Sequence, residues 1–124
     1  MLGKIATKEV KVITTGSAGS AVGSGISEKI SGFLLGFHIA FNASAPSTTD
    51  TTIACLDPAH GTLLTLTNGN TSGFYPVRME MLTNAGVSTG AYDLRPLQST
   101  LQVDIAQCNA LTYAAVVTIY YLEA

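Results

Sequence analysis

Ser31-Gly32-Phe33-Leu34-Leu35-Gly36-Phe37-His38-Ile39-Ala40-Phe41-Asn42 decides the fold class. Side chains of an extended strand point alternately to its two faces. Alternation puts Phe33, Leu35, Phe37, Ile39 and Phe41 on one face, and Leu34, Gly36, His38 and Ala40 on the other. Three phenylalanines, a leucine and an isoleucine in one row predict a buried sheet face. The opposite row is small and mixed, which suits solvent or a partner chain.

Toward the C-terminus the pattern repeats in short pieces. Residues 43–51 form a polar loop around Pro46, and Thr52–Leu56 reads as a short strand. Asp57-Pro58-Ala59-His60-Gly61 is a turn by composition. Residues 62–67 alternate again, and Asn68-Gly69-Asn70 marks the next turn. Residues 74–82 read as one strand with Pro76 near its start, where proline is tolerated. Residues 83–96, with Gly86, Gly90 and Pro96, read as a long loop. Leu101, Val103 and Ile105 alternate with Gln102, Asp104 and Gln107. The closing stretch 111–122 is apolar on both parities: Ala114, Val116 and Tyr120 on one, Tyr113, Val117, Ile119 and Tyr121 on the other. A strand of that kind is covered on both sides, by a second sheet and a loop or by another subunit.

Toward the N-terminus, residues 16–25 are almost all Gly, Ser and Ala, and read as a flexible loop or linker. Neither glycine-rich phosphate-binding motif is present there. Residues 3–15 alternate weakly, with Lys4, Lys8, Glu9 and Lys11 among apolar positions. Charge on a strand deters unwanted pairing, so this is an edge strand or an arm. The reading is an all-β, antiparallel β-sandwich or jelly-roll-like fold of about seven or eight short strands. It divides into an N-terminal strand or arm plus Gly/Ser loop at 1–29 and a sandwich domain at 30–124.

Composition supports this and excludes several function classes. The chain has 124 residues, 47% hydrophobic and 11% charged, with 16 threonines, 12 glycines and no tryptophan. Threonine fits a pleated, half-buried surface. High apolar content with little charge argues against disorder. A net charge of −2 leaves no basic footprint for nucleic acid. No apolar stretch is long enough for a membrane helix, and no signal peptide is visible at the start.

No catalytic constellation stands out. His38 and His60 lie far apart in the chain without a third ligand at metal-site spacing. Cys55 and Cys108 belong to no CxxC motif and read as two free thiols. The carboxylates are scattered, so a two-carboxylate hydrolase is disfavoured. Asn42-Ala43-Ser44 and Asn70-Thr71-Ser72 match the glycosylation sequon, a motif frequent by chance. Arg78 and Arg95 are expected to pair with nearby carboxylates, Glu80 and Asp93, or to reach a partner chain. No metal and no cofactor is implied.

A family resemblance carries the reading further. It rests on Thr48-Thr49-Asp50-Thr51-Thr52-Ile53, Leu63-Leu64-Thr65-Leu66-Thr67-Asn68 and Asn70-Thr71-Ser72-Gly73-Phe74-Tyr75-Pro76-Val77-Arg78. Tyr92-Asp93 ahead of Arg95-Pro96-Leu97, the 101–107 strand and the final Val-Thr-Ile-Tyr-Tyr strand complete the layout. Over residues 30–124 the chain resembles small β-sandwich virion proteins of tailed bacteriophages, the capsid decoration or cement proteins and related minor head proteins. The resemblance implies a non-enzymatic structural protein on the capsid exterior, made in the host cytoplasm. It also implies the major capsid protein as partner and a homo-oligomer, a trimer by the family's habit. Lys4, Lys8, Lys11, Phe74, Tyr75, Arg78 and Arg95 are the candidate subunit or capsid contacts. The rival reading is a carbohydrate- or other ligand-binding module on a virion fibre or tail, with Phe74, Tyr75 and Tyr92 as its exposed aromatics.

Overall fold

The computed structural model describes residues 3–57 and 61–123, with the side chain of Glu80 left out. Eleven strands and no helix make up the described chain: β1 (Ile5–Val12), β2 (Ala21–Ile26), β3 (Ile30–Phe41), β4 (Asp50–Cys55), β5 (Thr62–Leu66), β6 (Gly73–Pro76), β7 (Met79–Leu82), β8 (Ser88–Asp93), β9 (Arg95–Ser99), β10 (Leu101–Cys108) and β11 (Ala115–Glu123). The all-β, antiparallel expectation holds, with more and shorter strands than the seven or eight expected.

One sheet runs β1-β11-β3-β6, with β9 on the same side of the long β3 as β6. The second runs β2-β10-β4-β5, and β7-β8 form a separate two-stranded hairpin. The inward rows of both sheets meet in one apolar cluster, a sandwich-like arrangement. Val10 and Val12 of β1, Leu34, Phe37 and Ile39 of β3, and Val117, Ile119 and Tyr121 of β11 face Ile53 of β4 and Leu101, Val103 and Ile105 of β10. Alternation predicts β11 residue by residue and β10 as far as Ile105, beyond which Gln107 takes a positive φ, the register shifts and Cys108 of the other parity is buried.

The deciding stretch itself departs from simple alternation. Tyr120 of β11 faces Gly36 and Tyr121 faces Leu34, so Leu35 is an extra residue in β3. Such a bulge moves every side chain before it to the opposite face. Ile30 and Leu34 therefore point inward on the N-terminal side, and Phe37 and Ile39 on the C-terminal side. Phe33 and Leu35, expected in the core, are only half-buried. The Leu35 carbonyl accepts from Val77 N–H at 3.2 Å and from the Arg78 guanidinium at 2.8 Å. Arg78 thus holds the bulge, a role the sequence did not suggest.

Three further expectations are corrected. Residues 16–25 are not a loop or linker throughout: 17–20 turn, but β2 occupies 21–26 and pairs with β10. A Cβ on Gly23 would lie 2.0 Å from the Ile13 carbonyl oxygen, and one on Gly25 would lie 2.6 Å from Val10 Cγ1. These glycines make room for β2 against the end of β1. The stretch 74–82 is two strands: the register with β3 ends at Pro76, Val77 makes one last bond to the Leu35 bulge, and Met79–Leu82 pairs with β8 instead. The expected loop 83–96 holds β8 and the start of β9, with Thr83–Val87 turning the hairpin. As for residues 3–15, β1 is the edge strand of its sheet.

At one end of the sandwich Asn109 ties three segments together. Its Nδ2 donates to the Ser44 carbonyl at 3.1 Å, its Oδ1 accepts from Gly19 N–H at 3.0 Å, and its carbonyl accepts from Thr14 Oγ1 at 2.6 Å.

Candidate interaction surface

The core-facing side of the five-stranded sheet is sealed, but among the described residues no layer covers its outer side. Register defines that outer surface row by row. Glu9, Thr118, His38 and Phe74 lie directly opposite one another across β1, β11, β3 and β6. The next outer row is Thr7, Tyr120, Gly36 and Pro76, and the row on the other side is Lys11, Val116 and Ala40. Residues opposite each other on one face are within contact distance, so each row is continuous.

Small residues at the centre flatten this face, and aromatics stand at its borders. The Phe74 ring lies over Gly36, where an added Cβ would come 2.8 Å from its Cζ. It meets Tyr120 edge-on, with centroids 5.7 Å apart and planes at 78°, a favoured aromatic geometry. At the opposite corner Lys11 Nζ sits 5.3 Å from the centroid of the Tyr113 ring, within cation–π range. Phe74 and Tyr113 are exposed, while Val116, Thr118 and Tyr120 are half-buried. A flat, half-apolar face with aromatic borders and few charges is suited to a protein surface.

The structure distributes the candidate contacts rather than gathering them. Lys8 pairs with Glu28 at 3.5 Å and Lys11 with Glu9 at 3.7 Å, both on β1, and Lys4 is exposed just before that strand. Phe74 is on the outer face at the other side of the sheet. Tyr75, its neighbour in sequence, points the other way, packs on the core and donates its hydroxyl to the Thr71 carbonyl. Arg78 is taken up by the β3 bulge. Its expected pairing with Glu80 falls on a side chain outside those described. Arg95 opens β9, where its charge acts on Cys55. Tyr92 is exposed on the hairpin, while Phe74 and Tyr75, the other two aromatics of the rival ligand-binding reading, point to opposite faces of β6.

Other chemistry is sparse. Among the described residues no group of three or more His, Cys, Asp or Glu could hold a metal ion. No helix among them is long and apolar enough to cross a membrane. Cys55 and Cys108 are buried free thiols. Burial pushes the Cys55 thiol above its ordinary range, aided by Asp57, while Arg95 and a hydrogen bond from Ser99 pull the other way. His38 is exposed on the outer face, and His60 lies outside the described residues. Both sequon asparagines are engaged: Asn42 Nδ2 donates to the Tyr113 carbonyl at 3.1 Å and Asn70 Nδ2 to the Ala45 carbonyl at 2.8 Å.

Tyr113, read as part of the last strand, lies before β11 and is exposed, and Tyr120 is on the side that the sequence reading assigned to a covering loop or another subunit. Sequence reasoning missed the exposed apolar side chains of the hairpin, because it placed Met81 and Leu82 on an ordinary strand and Val87 in a loop.

No protein-family model matches the chain, and no curated protein does. Among solved structures it is similar to the enzymatically active domain of tailspike protein 4 of bacteriophage CBA120, at 14% identity and a TM-score of 0.33. The match covers 95% of this chain and 19% of that one, so this chain spans about a fifth of the neighbour's length. A likeness of that size carries no argument about function.

Proposed function

We propose that the chain is a structural component of a bacteriophage virion, which decorates and stabilises the outside of the capsid by binding the major capsid protein as a homo-oligomer. The observation that carries this reading is the uncovered outer face of the β1-β11-β3-β6 sheet. Its rows of Val116, Ala40, Thr118 and Gly36, bordered by Phe74, Tyr120 and Tyr113, offer a flat surface to another protein. The family resemblance of residues 30–124 supplies the capsid as the lattice that would meet it. Phe74 and Tyr75 point to opposite faces of β6, which disfavours the rival carbohydrate platform, since that needs its aromatics on one surface.

The test is cosedimentation of the purified chain with expanded capsids assembled from the major capsid protein of the same virion. Saturable binding is expected, weakened at least tenfold by Phe74→Ser or by Val116→Lys, with melting curves confirming that both variants fold. Aromatic positions of this kind dominate interface energies, and tenfold corresponds to about 1.4 kcal/mol. A chain that ignores such capsids, or binds them unchanged in both variants, overturns the proposal.

A further inference from the structure

We infer that Arg78–Leu94, which carries the β7-β8 hairpin, is an insertion into a single edge strand, and that it is a hinged arm which opens and closes on its own while the sandwich stays folded. No residue of the proposed capsid-binding face lies in this arm, so the two readings stand or fall separately.

The register along β3 carries the inference. Gly73, Phe74, Tyr75 and Pro76 of β6 pair in turn with Ile39, His38, Phe37 and Gly36. The Val77 N–H then donates to the Leu35 carbonyl at 3.2 Å. Arg95 of β9 faces Leu34, and the ladder runs on through Pro96, Leu97 and Gln98 to Ser99, opposite Ile30. From Ile39 back to Ile30 no residue of β3 is skipped, and β6 and β9 run in the same direction along it. Val77 and Arg95 thus stand beside consecutive residues of β3, whose Cα atoms are about 3.8 Å apart, the span of one peptide unit. The two strands are halves of one, and the chain leaves and re-enters that strand at the Leu35 bulge. Bulges commonly re-aim a strand or end its pairing at a sheet edge.

What leaves adds nothing to the core. Among the described residues from Arg78 to Leu94 no side chain is buried, whereas Val77 just before and Leu97 just after are 6% and 4% exposed. The hairpin pairs with itself, Met79 with Asp93 and Leu82 with Ser88, and belongs to neither sheet. Its turn is closed from within, by Thr83 N–H donating to the Val87 carbonyl at 2.9 Å and Thr89 Oγ1 to the Met81 carbonyl at 2.6 Å. At the root the Arg78 guanidinium donates to the Leu35 and Val77 carbonyls, which fixes where the chain exits. A two-stranded hairpin without a packed face is marginally stable in water, so it opens far more readily than the strands that build the core. Tolerance of truncation follows the burial and backbone bonding of the residues removed. Removing this arm takes away no described buried side chain and leaves the Val77 bond to Leu35 in place.

Two variants of the full chain test the inference. One joins Val77 directly to Arg95, and the other replaces Arg78–Leu94 by a Gly/Ser linker of equal length. Both are expected to melt cooperatively, with Tm within about 5 °C of the unaltered protein, and to keep the slowly exchanging amides of β3, β10 and β11. In the unaltered chain, the β7 and β8 amides should exchange at least about a hundredfold faster than those slow amides under native conditions. Loss of the cooperative melt in either variant overturns the inference. So does a hairpin whose amides exchange only when the whole sandwich unfolds, since a unit that opens with the core is part of it.

Discussion

Gly23→Ala is the sharpest test of the fold, because composition and structure give opposite expectations for it. In a flexible Gly/Ser linker, glycine to alanine is neutral, or stabilises by about 0.4–1 kcal/mol through the unfolded chain. In the folded protein, the new methyl would sit 2.0 Å from the Ile13 carbonyl oxygen, 2.9 Å from its carbon and 3.1 Å from Thr14 Cα. All three are backbone atoms, so no rotamer change relieves the clash. Either β2 must move off β1 or its pairing with β10 must shift. Overpacking a well-filled site costs about 1–3 kcal/mol, and a clash with main chain belongs at or above the upper end. For a domain of this size ~3 kcal/mol lowers Tm by roughly 10 °C. Gly25→Ala, facing the Val10 side chain at 2.6 Å, should cost less, because a side chain can yield. Gly69→Ala is the control: it lies at a turn, meets nothing within 4 Å and has no positive φ. Thermal and urea melts of the three variants are expected to rank them Gly23, then Gly25, then Gly69 near the unaltered protein. If Gly23→Ala melts with Gly69→Ala, β2 does not lie against β1, and the two-sheet arrangement drawn from it fails.

Three more outcomes follow from particular side chains. Phe37 is fully buried, so Phe37→Ala should cost about 3–5 kcal/mol in urea unfolding, whereas Phe33→Ala, half-buried beyond the bulge, should cost clearly less. The Cys55 thiol is raised by burial, so the folded state holds its proton more tightly than the unfolded chain does. The stability this gives is complete below the ordinary thiol range near about 8.5 and fades as the pH climbs through it. Melts from neutral to alkaline pH should therefore show a loss of Tm that is smaller in Cys55→Ala, each compared with its own neutral value. Asn109→Ala removes the side-chain bonds to Gly19 and Ser44, and should cost about 1–2 kcal/mol while raising amide exchange in those two loops.

Period-two alternation is a property of the chain itself, because successive Cβ atoms of an extended backbone point to opposite faces whatever lies beside them. The all-β class, the inward rows of β10 and β11, and Phe37 and Ile39 were therefore open to reading from residue order alone. So was the turn at Asn68-Gly69, where Asn68 takes the positive φ that asparagine tolerates. What escaped depends on neighbours distant in sequence. Leu35 is a bulge because β11 skips it, and nothing in Phe33-Leu34-Leu35-Gly36 states that register. Glycine serves equally for freedom and for room. Only the carbonyl of Ile13 against Gly23 shows that room is what residues 21–26 need. Residues 73–82 could not be divided without knowing that β3 pairs with β6 while β8 takes β7. Met81 and Leu82 look like ordinary strand residues in sequence, Val87 looks like a loop residue, and Tyr113 and Tyr120 look covered by a loop or another subunit. Burial is a relation between surfaces that the chain brings together over long separations. The tertiary arrangement alone decided that these side chains face outward, and with them where the protein can meet another.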